Sequence, residues 1–99
     1  MTTLFTPLQA GDLLLPNRIV MSPLTRARAG TTHIPNDMMV DYYSQRSSSG
    51  LIMTECTMVD AHACAFIGEG GIYSAAHVDG WKRVTDAVHA KGGRIVMQI

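Results

Sequence analysis

The apolar positions of this chain come in two rhythms that alternate: short unbroken runs, and longer stretches spaced by three and four. Ile19-Val20-Met21 is a short run that reads as a buried strand, broken at Ser22-Pro23 because proline cannot donate to a central ladder. A stripe at Met38, Met39, Tyr42, Tyr43 and Arg46 follows, which predicts a helix over Asn36 to Ser48, capped by Asn36 or Asp37. The Ser47-Ser48-Ser49-Gly50 run ends it, with Gly50 expected as a left-handed cap. Leu51 to Val59 is nearly continuous in apolar and β-branched residues, as in a strand buried on both faces. A second helix is predicted from Ala75 to Lys91, capped by Ser74, with Val78, Trp81, Val84, Thr85 and Val88 on its inner face and Gly92-Gly93 at its end. Arg94 to Ile99 reads as a third strand. Ahead of all this, residues 4 to 15 predict a small hairpin turning at Ala10-Gly11-Asp12, since Gly11 can take the positive φ of a tight turn.

The resulting order, β-α-β-α-β after a hairpin, predicts three parallel neighbouring strands joined by right-handed crossovers. No helix follows the last strand to cover it, and both outer edges lack partners. A closed β/α barrel needs eight such units and ~250 residues. The expected fold class is therefore α/β, the N-terminal portion of a (β/α)8 TIM barrel. It is read as a single incomplete domain over 1–99, with an N-terminal hairpin or plug at 1–16 and the first units of the barrel at 17–99.

Composition narrows the partners. Eight basic and eight acidic side chains cancel, which removes the electrostatic footprint expected for nucleic acid or an anionic membrane. No run approaches the ~20 apolar residues of a membrane span, and the N-terminus lacks the basic and apolar segments of a signal peptide. Cys56 and Cys64 form no Cys-x-x-Cys pair, which points to reduced thiols in a cytoplasmic protein.

In β/α folds chemistry gathers beyond the carboxyl ends of the strands. Thr25, Cys56 and Gln98 fall there, one from each strand. Strict alternation puts Cys56, Thr54 and Ile52 on one face and Glu55 on the other, toward the helices, and groups Gln98 with Val96. The Gln98 amide carries donors and an acceptor, which suits a ligand edge that alternates the two, such as a flavin pyrimidine; it equally suits a core amide satisfied by backbone. Thr25 offers a hydroxyl beside a proline-fixed turn, and Cys56 is small enough to admit a flat ligand. Glu55, turned toward the helices, would need a cation, with Arg26 or Arg46 as the candidates. His33, His62, His77 and His89 lack metal-ligand spacing, so no metal site is expected, and His77 and His89 are expected to be solvated.

Several segments together resemble the old yellow enzyme family, and more narrowly its bacterial alkene reductase and N-ethylmaleimide reductase branch. They are Leu4-Phe5-Thr6-Pro7-Leu8, Pro16 to Arg26, Tyr42-Tyr43-Ser44-Gln45-Arg46, Gly71-Ile72-Tyr73-Ser74, Trp81-Lys82 and Val88 to Arg94. The resemblance implies an FMN-binding barrel that passes hydride from NAD(P)H, through FMN, to activated alkenes such as enones, maleimides or nitro compounds. It implies that the hairpin closes the barrel floor. It assigns Pro23, Leu24, Thr25, Cys56 and Gln98 to cofactor binding and Phe66 to substrate binding. Two positions depart from the pattern: Cys56 stands where the family commonly has alanine, and Phe66 where it has a tyrosine. The family's carbonyl-anchoring pair, proton-donating tyrosine and phosphate-binding arginines all belong to later units, so no catalytic residue is assigned. The isolated chain is expected to be inactive without the missing C-terminal barrel units. The competing reading is a non-catalytic structural fragment, or a truncated gene product without stable flavin binding.

Overall fold

The structure, a computed structural model, describes all 99 residues. Strands β1 (Leu8–Ala10) and β2 (Leu13–Leu15) form the antiparallel hairpin, paired Leu8 to Leu15 and Ala10 to Leu13. Gly11, at φ 59°, makes the turn. Strand β3 (Val20–Met21) follows, then helix α1 (Asp37–Ser44), strand β4 (Leu51–Met58), a two-residue strand β5 (Gly70–Gly71), helix α2 (Ala75–Ala90) and strand β6 (Ile95–Gln98).

The expected parallel sheet is present, with β4 at its centre. Ile52 pairs with Met21 of β3 and with Ile95 of β6, both parallel. Strand β5 was not legible in the sequence, because two glycines carry no side-chain pattern. It adds to β4 in parallel at the carboxyl end, Thr57 opposite Gly70.

The core lies between this sheet and the two helices. Met39 and Tyr43 of α1, Ile52 of β4, and Trp81, Val84 and Val88 of α2 are each at most 2% exposed and form one cluster. Burying such side chains is worth roughly 1.5–3 kcal/mol apiece. The inner face of α2 departs from its prediction in the first turns: Val78 is exposed, whereas His77 and Gly80 are buried. Gly80 is there for closeness, since a Cβ on it would meet the Pro35 carbonyl oxygen at 2.8 Å.

Helix caps explain the boundaries. Asn36 accepts from the Met39 N–H, and Ser74 from the His77 N–H. At the end of α2, Gly92 takes φ 76°, its N–H reaches the His89 carbonyl and the Gly93 N–H reaches that of Val88, a Schellman arrangement. Helix α1 stops four residues earlier than predicted. The Ser47 N–H bonds Ser44 and the Arg46 N–H bonds Tyr43, so the chain tightens to three-residue spacing, while the Ser47 and Ser49 hydroxyls bind nearby carbonyls.

Gly50 is not the left-handed cap expected, for its φ is not positive. It is small because Asn17 crosses directly over it: an added Cβ would lie 2.1 Å from the Asn17 carbonyl oxygen. The Asn17 side chain also donates to the Ser48 carbonyl and accepts from the Ile19 N–H. The start of β3 is thus pinned to the turn that leads into β4.

Candidate functional site: the carboxyl rim of the sheet

The alternation read from sequence fails in the middle of β4. Ile52 belongs to the helix-side core, yet Glu55, three residues on, also faces the helices through its bond to Tyr43. The reason is a bulge. Met53 pairs with Val96 and Cys56 with Gln98, three steps on β4 against two on β6. One extra residue inverts the phase of the strand. Ile52 and Cys56 therefore do not share a face, contrary to the alternating pattern, and Cys56 is brought directly opposite Gln98.

Of the residues assigned to the cofactor, Cys56 and Gln98 are thus brought together as register partners, Cys56 half-buried and Gln98 exposed. Thr25 comes from the other edge of β4. It lies four residues past Met21, as Cys56 lies four past Ile52, the register partner of Met21. Pro23 and Thr25 are half-buried and Leu24 is exposed, all in an extended segment after β3. Phe66 is 55% exposed on the loop between β4 and β5 and packs into no core cluster. Neither the Thr25 hydroxyl nor the Gln98 side-chain amide hydrogen-bonds within the chain, and the Gln98 backbone N–H donates to Thr54 Oγ1 at 3.0 Å. A free hydroxyl, a free amide and a small thiol at strand ends form a donor set suited to the polar edge of FMN.

Behind the rim sits a buried acid. Glu55 is 1% exposed; its Oε2 accepts from the Tyr43 hydroxyl at 2.8 Å, and its Oε1 makes no hydrogen bond of good geometry, although the Arg26 backbone N–H is near enough to favour the ionised form. The expected ion pair is absent: neither Arg26 nor Arg46 comes within salt-bridge distance, and their guanidiniums lie over the Tyr42 ring instead, at 5.8 and 4.2 Å from its centroid. Those arginines, with Arg28, Tyr42 and Glu55, border a cavity of about 230 Å³ beside α1. Burial drives the Glu55 carboxyl above its ordinary value, against the lowering effect of Tyr43 and of Arg26. Burial likewise raises the Tyr43 phenol, so it stays protonated and able to donate.

Two loops are laced together over the helix side. His33 Nδ1 meets the Glu69 carbonyl at 2.7 Å, and the Gly71 N–H donates to the His33 carbonyl at 2.7 Å. The Ala29 N–H donates to the Gly68 carbonyl at 2.8 Å, and Glu69, itself buried, accepts from the Ala65 N–H at 2.5 Å. His77 is 4% exposed rather than solvated, with Nε2 at 3.0 Å from the Thr32 carbonyl. Trp81 Nε1 donates to the Gly71 carbonyl at 2.9 Å. The sequence signal for this lacing was the glycine-rich Gly68-Glu69-Gly70-Gly71, whose fit of backbone against backbone has no apolar pattern to announce it.

Residues 3–99 match the family model described as NADH:flavin oxidoreductase / NADH oxidase. The chain belongs to that family. The chain is 54% identical over 93 residues to a protein of Leishmania infantum named probable flavin mononucleotide-dependent alkene reductase, covering 94% of the chain and 26% of the relative. It superposes on morphinone reductase in complex with tetrahydroNAD with a TM-score of 0.93 at 47% identity, covering 98% of this chain and 26% of that one. It superposes on the old yellow enzyme homologue from Zymomonas mobilis, also at 0.93, with 42% identity and coverage of 97% and 27%. The family resemblance is thereby shown to be one to old yellow enzymes, and the parallel β/α units are part of their TIM barrel. The chain spans about a quarter of the length of these relatives. Membership implies FMN and a nicotinamide reductant. No helix is long and apolar enough to cross a membrane.

Proposed function

We propose that this chain supplies the first strands of an FMN-dependent ene reductase, in which Pro23, Leu24, Thr25, Cys56 and Gln98 hold the flavin and Phe66 borders the substrate. The observation that carries the reading is the pairing of Cys56 with Gln98 at the carboxyl rim, beside an amide and a hydroxyl that no group of the chain satisfies. FMN, when bound, supplies a hydride carrier between NAD(P)H and an alkene activated by a carbonyl or nitro group. The chain's own contribution is placement. Gln98 presents donors and an acceptor to the pyrimidine edge, Thr25 donates near it, and Cys56 leaves room for the ring. Donors at that edge favour negative charge on a reduced flavin. The hairpin at 1–16 would close the barrel floor beneath units drawn from 17–99.

In this reading the isolated chain is inactive. Strands β3 and β6 each pair only with β4, and Val20, Leu24, Ile67 and Ile99 lie exposed at 49, 53, 92 and 77%. A site open on that scale neither encloses nor preorganises a ligand. The purified chain, freed of loose flavin, should be colourless. Co-expressed with the later β/α units of a relative, it should yield a yellow complex that oxidises NADPH with cyclohexenone. A colourless, inactive complex that is otherwise assembled would refute the flavin reading; a yellow, active isolated chain would refute its inactivity.

A further inference from the structure

We propose that Tyr43 is a positioning residue for the rim: its hydroxyl holds the β4 bulge that turns Cys56 onto the face of Gln98. The consequence for the flavin rests on the function proposed above, whereas the placement of Cys56 does not.

A regular strand would carry Cys56 back to the side of Ile52, among the helix-side core residues. The additional residue between Met53 and Cys56 prevents this, and it leaves backbone groups outside the ladder. In a buried strand such groups need other partners. Tyr43 provides one from α1. The Glu55 N–H donates to Tyr43 Oη at 2.8 Å, and the same hydroxyl donates to Glu55 Oε2 at 2.8 Å. One phenol thus grips both the main chain and the side chain of the bulged residue. Its ring has no exposed surface and is set by Tyr42 and Trp81, with centroids at 5.0 and 6.0 Å. On the other strand, Thr54 Oγ1 takes the Gln98 N–H and donates to the Glu55 carbonyl at 3.1 Å, so β6 is bonded to a side chain of the bulge. Glu55 and Thr54 therefore serve as linkers, with Tyr43 as the fixed point that the helix layer supplies.

The test uses a disulfide as a ruler. In a chain carrying Cys64→Ser and Gln98→Cys, Cys56 and the introduced thiol sit opposite each other and should oxidise to a cross-link, because neighbouring strands hold Cα atoms within disulfide range. Tyr43→Phe keeps the ring and removes the grip. It should slow cross-linking roughly tenfold, the scale set by leaving a buried amide unpartnered. Val84→Ala weakens the same core without touching the bulge and should leave the rate unchanged in the folded chain. Equal rates in Tyr43→Phe and the parent, or no cross-link in the parent, would overturn the proposal. Should Tyr43→Phe fail to fold, NMR on the unmutated chain decides: a slowly exchanging Tyr43 hydroxyl proton with a nuclear Overhauser effect to the Glu55 amide supports the grip, and its absence refutes it. Cross-linking needs no flavin, so failure of the unmutated assembled barrel to bind FMN would count against the proposed function alone. In that barrel, a Tyr43→Phe variant whose bound flavin kept the parent's visible spectrum and release rate would refute the link from Tyr43 to the rim.

Discussion

Replacing Glu55 by glutamine tests the buried acid most directly. The carboxyl is 1% exposed, with one well-formed hydrogen bond from Tyr43 and its other oxygen without a partner of good geometry. Its ionised form is disfavoured by burial more than Tyr43 and Arg26 favour it, so the folded pKa lies above the ordinary 4.5. A carboxyl raised in this way gives its full share of stability below the unfolded value and loses it as pH rises through the folded value. The parent should therefore weaken from about pH 4.5 upward relative to Glu55→Gln, which has no proton to lose. Glutamine keeps an oxygen for the Tyr43 hydroxyl and has no charge to desolvate as pH rises, a penalty on the scale of about 1–3 kcal/mol for a poorly compensated buried group. Its own amide protons face the cavity without a fixed partner, so the net gain expected at pH 7.5 is about 1 kcal/mol, shrinking to nothing near pH 4. Urea unfolding of both chains across pH 4 to 8, followed by tryptophan fluorescence of Trp81, measures the difference. Asp60 is shifted the opposite way by His62, but it is common to both chains and cancels. A variant less stable than the parent at pH 7.5, or a difference that does not change with pH, would show that the carboxylate is well compensated.

Gly50→Ala should cost about 3 kcal/mol or more, because the new Cβ would fall 2.1 Å from a backbone oxygen that cannot swing aside; an unchanged urea midpoint would refute the crossing of Asn17 over this turn. Trp81→Phe should cost about 2–3 kcal/mol by removing the donor to the Gly71 carbonyl and part of the core, with faster exchange of the amides around β5 in hydrogen-exchange measurements. In an assembled barrel, Gln98→Ala should weaken FMN retention or shift the flavin potential, read by fluorescence titration and by spectroelectrochemistry; no change in either would remove Gln98 from the rim.

The sheet was legible because parallel strands with helices beside them spell themselves as apolar and β-branched runs, and Leu51-Ile52-Met53-Thr54 opens β4 in that way. Asn36 and Ser74 announced the helix starts by their side-chain oxygens. Period-two counting could place Gln98 relative to Ile95 because β6 is regular, but it could not place Cys56, since nothing in Thr54-Glu55 distinguishes a bulge from a straight strand. The same gap misjudged the neighbours of Glu55. Sequence supplied two nearby arginines, and only the fold shows that both spend their faces on Tyr42. Helix α1 was read too long because serines are weak helix stops whose hydroxyls compete for carbonyls in a way set by local geometry.

The lacing between His33 and Glu69, and between Thr32 and His77, has a bearing on redesign. Segments leaving β3 and β4 are ordinarily treated as independent modules that can be exchanged one at a time. Here a graft into either would strip main-chain partners from the other, so a transplant from a relative should travel as a matched set, with His77 and Trp81 carried along as its anchors.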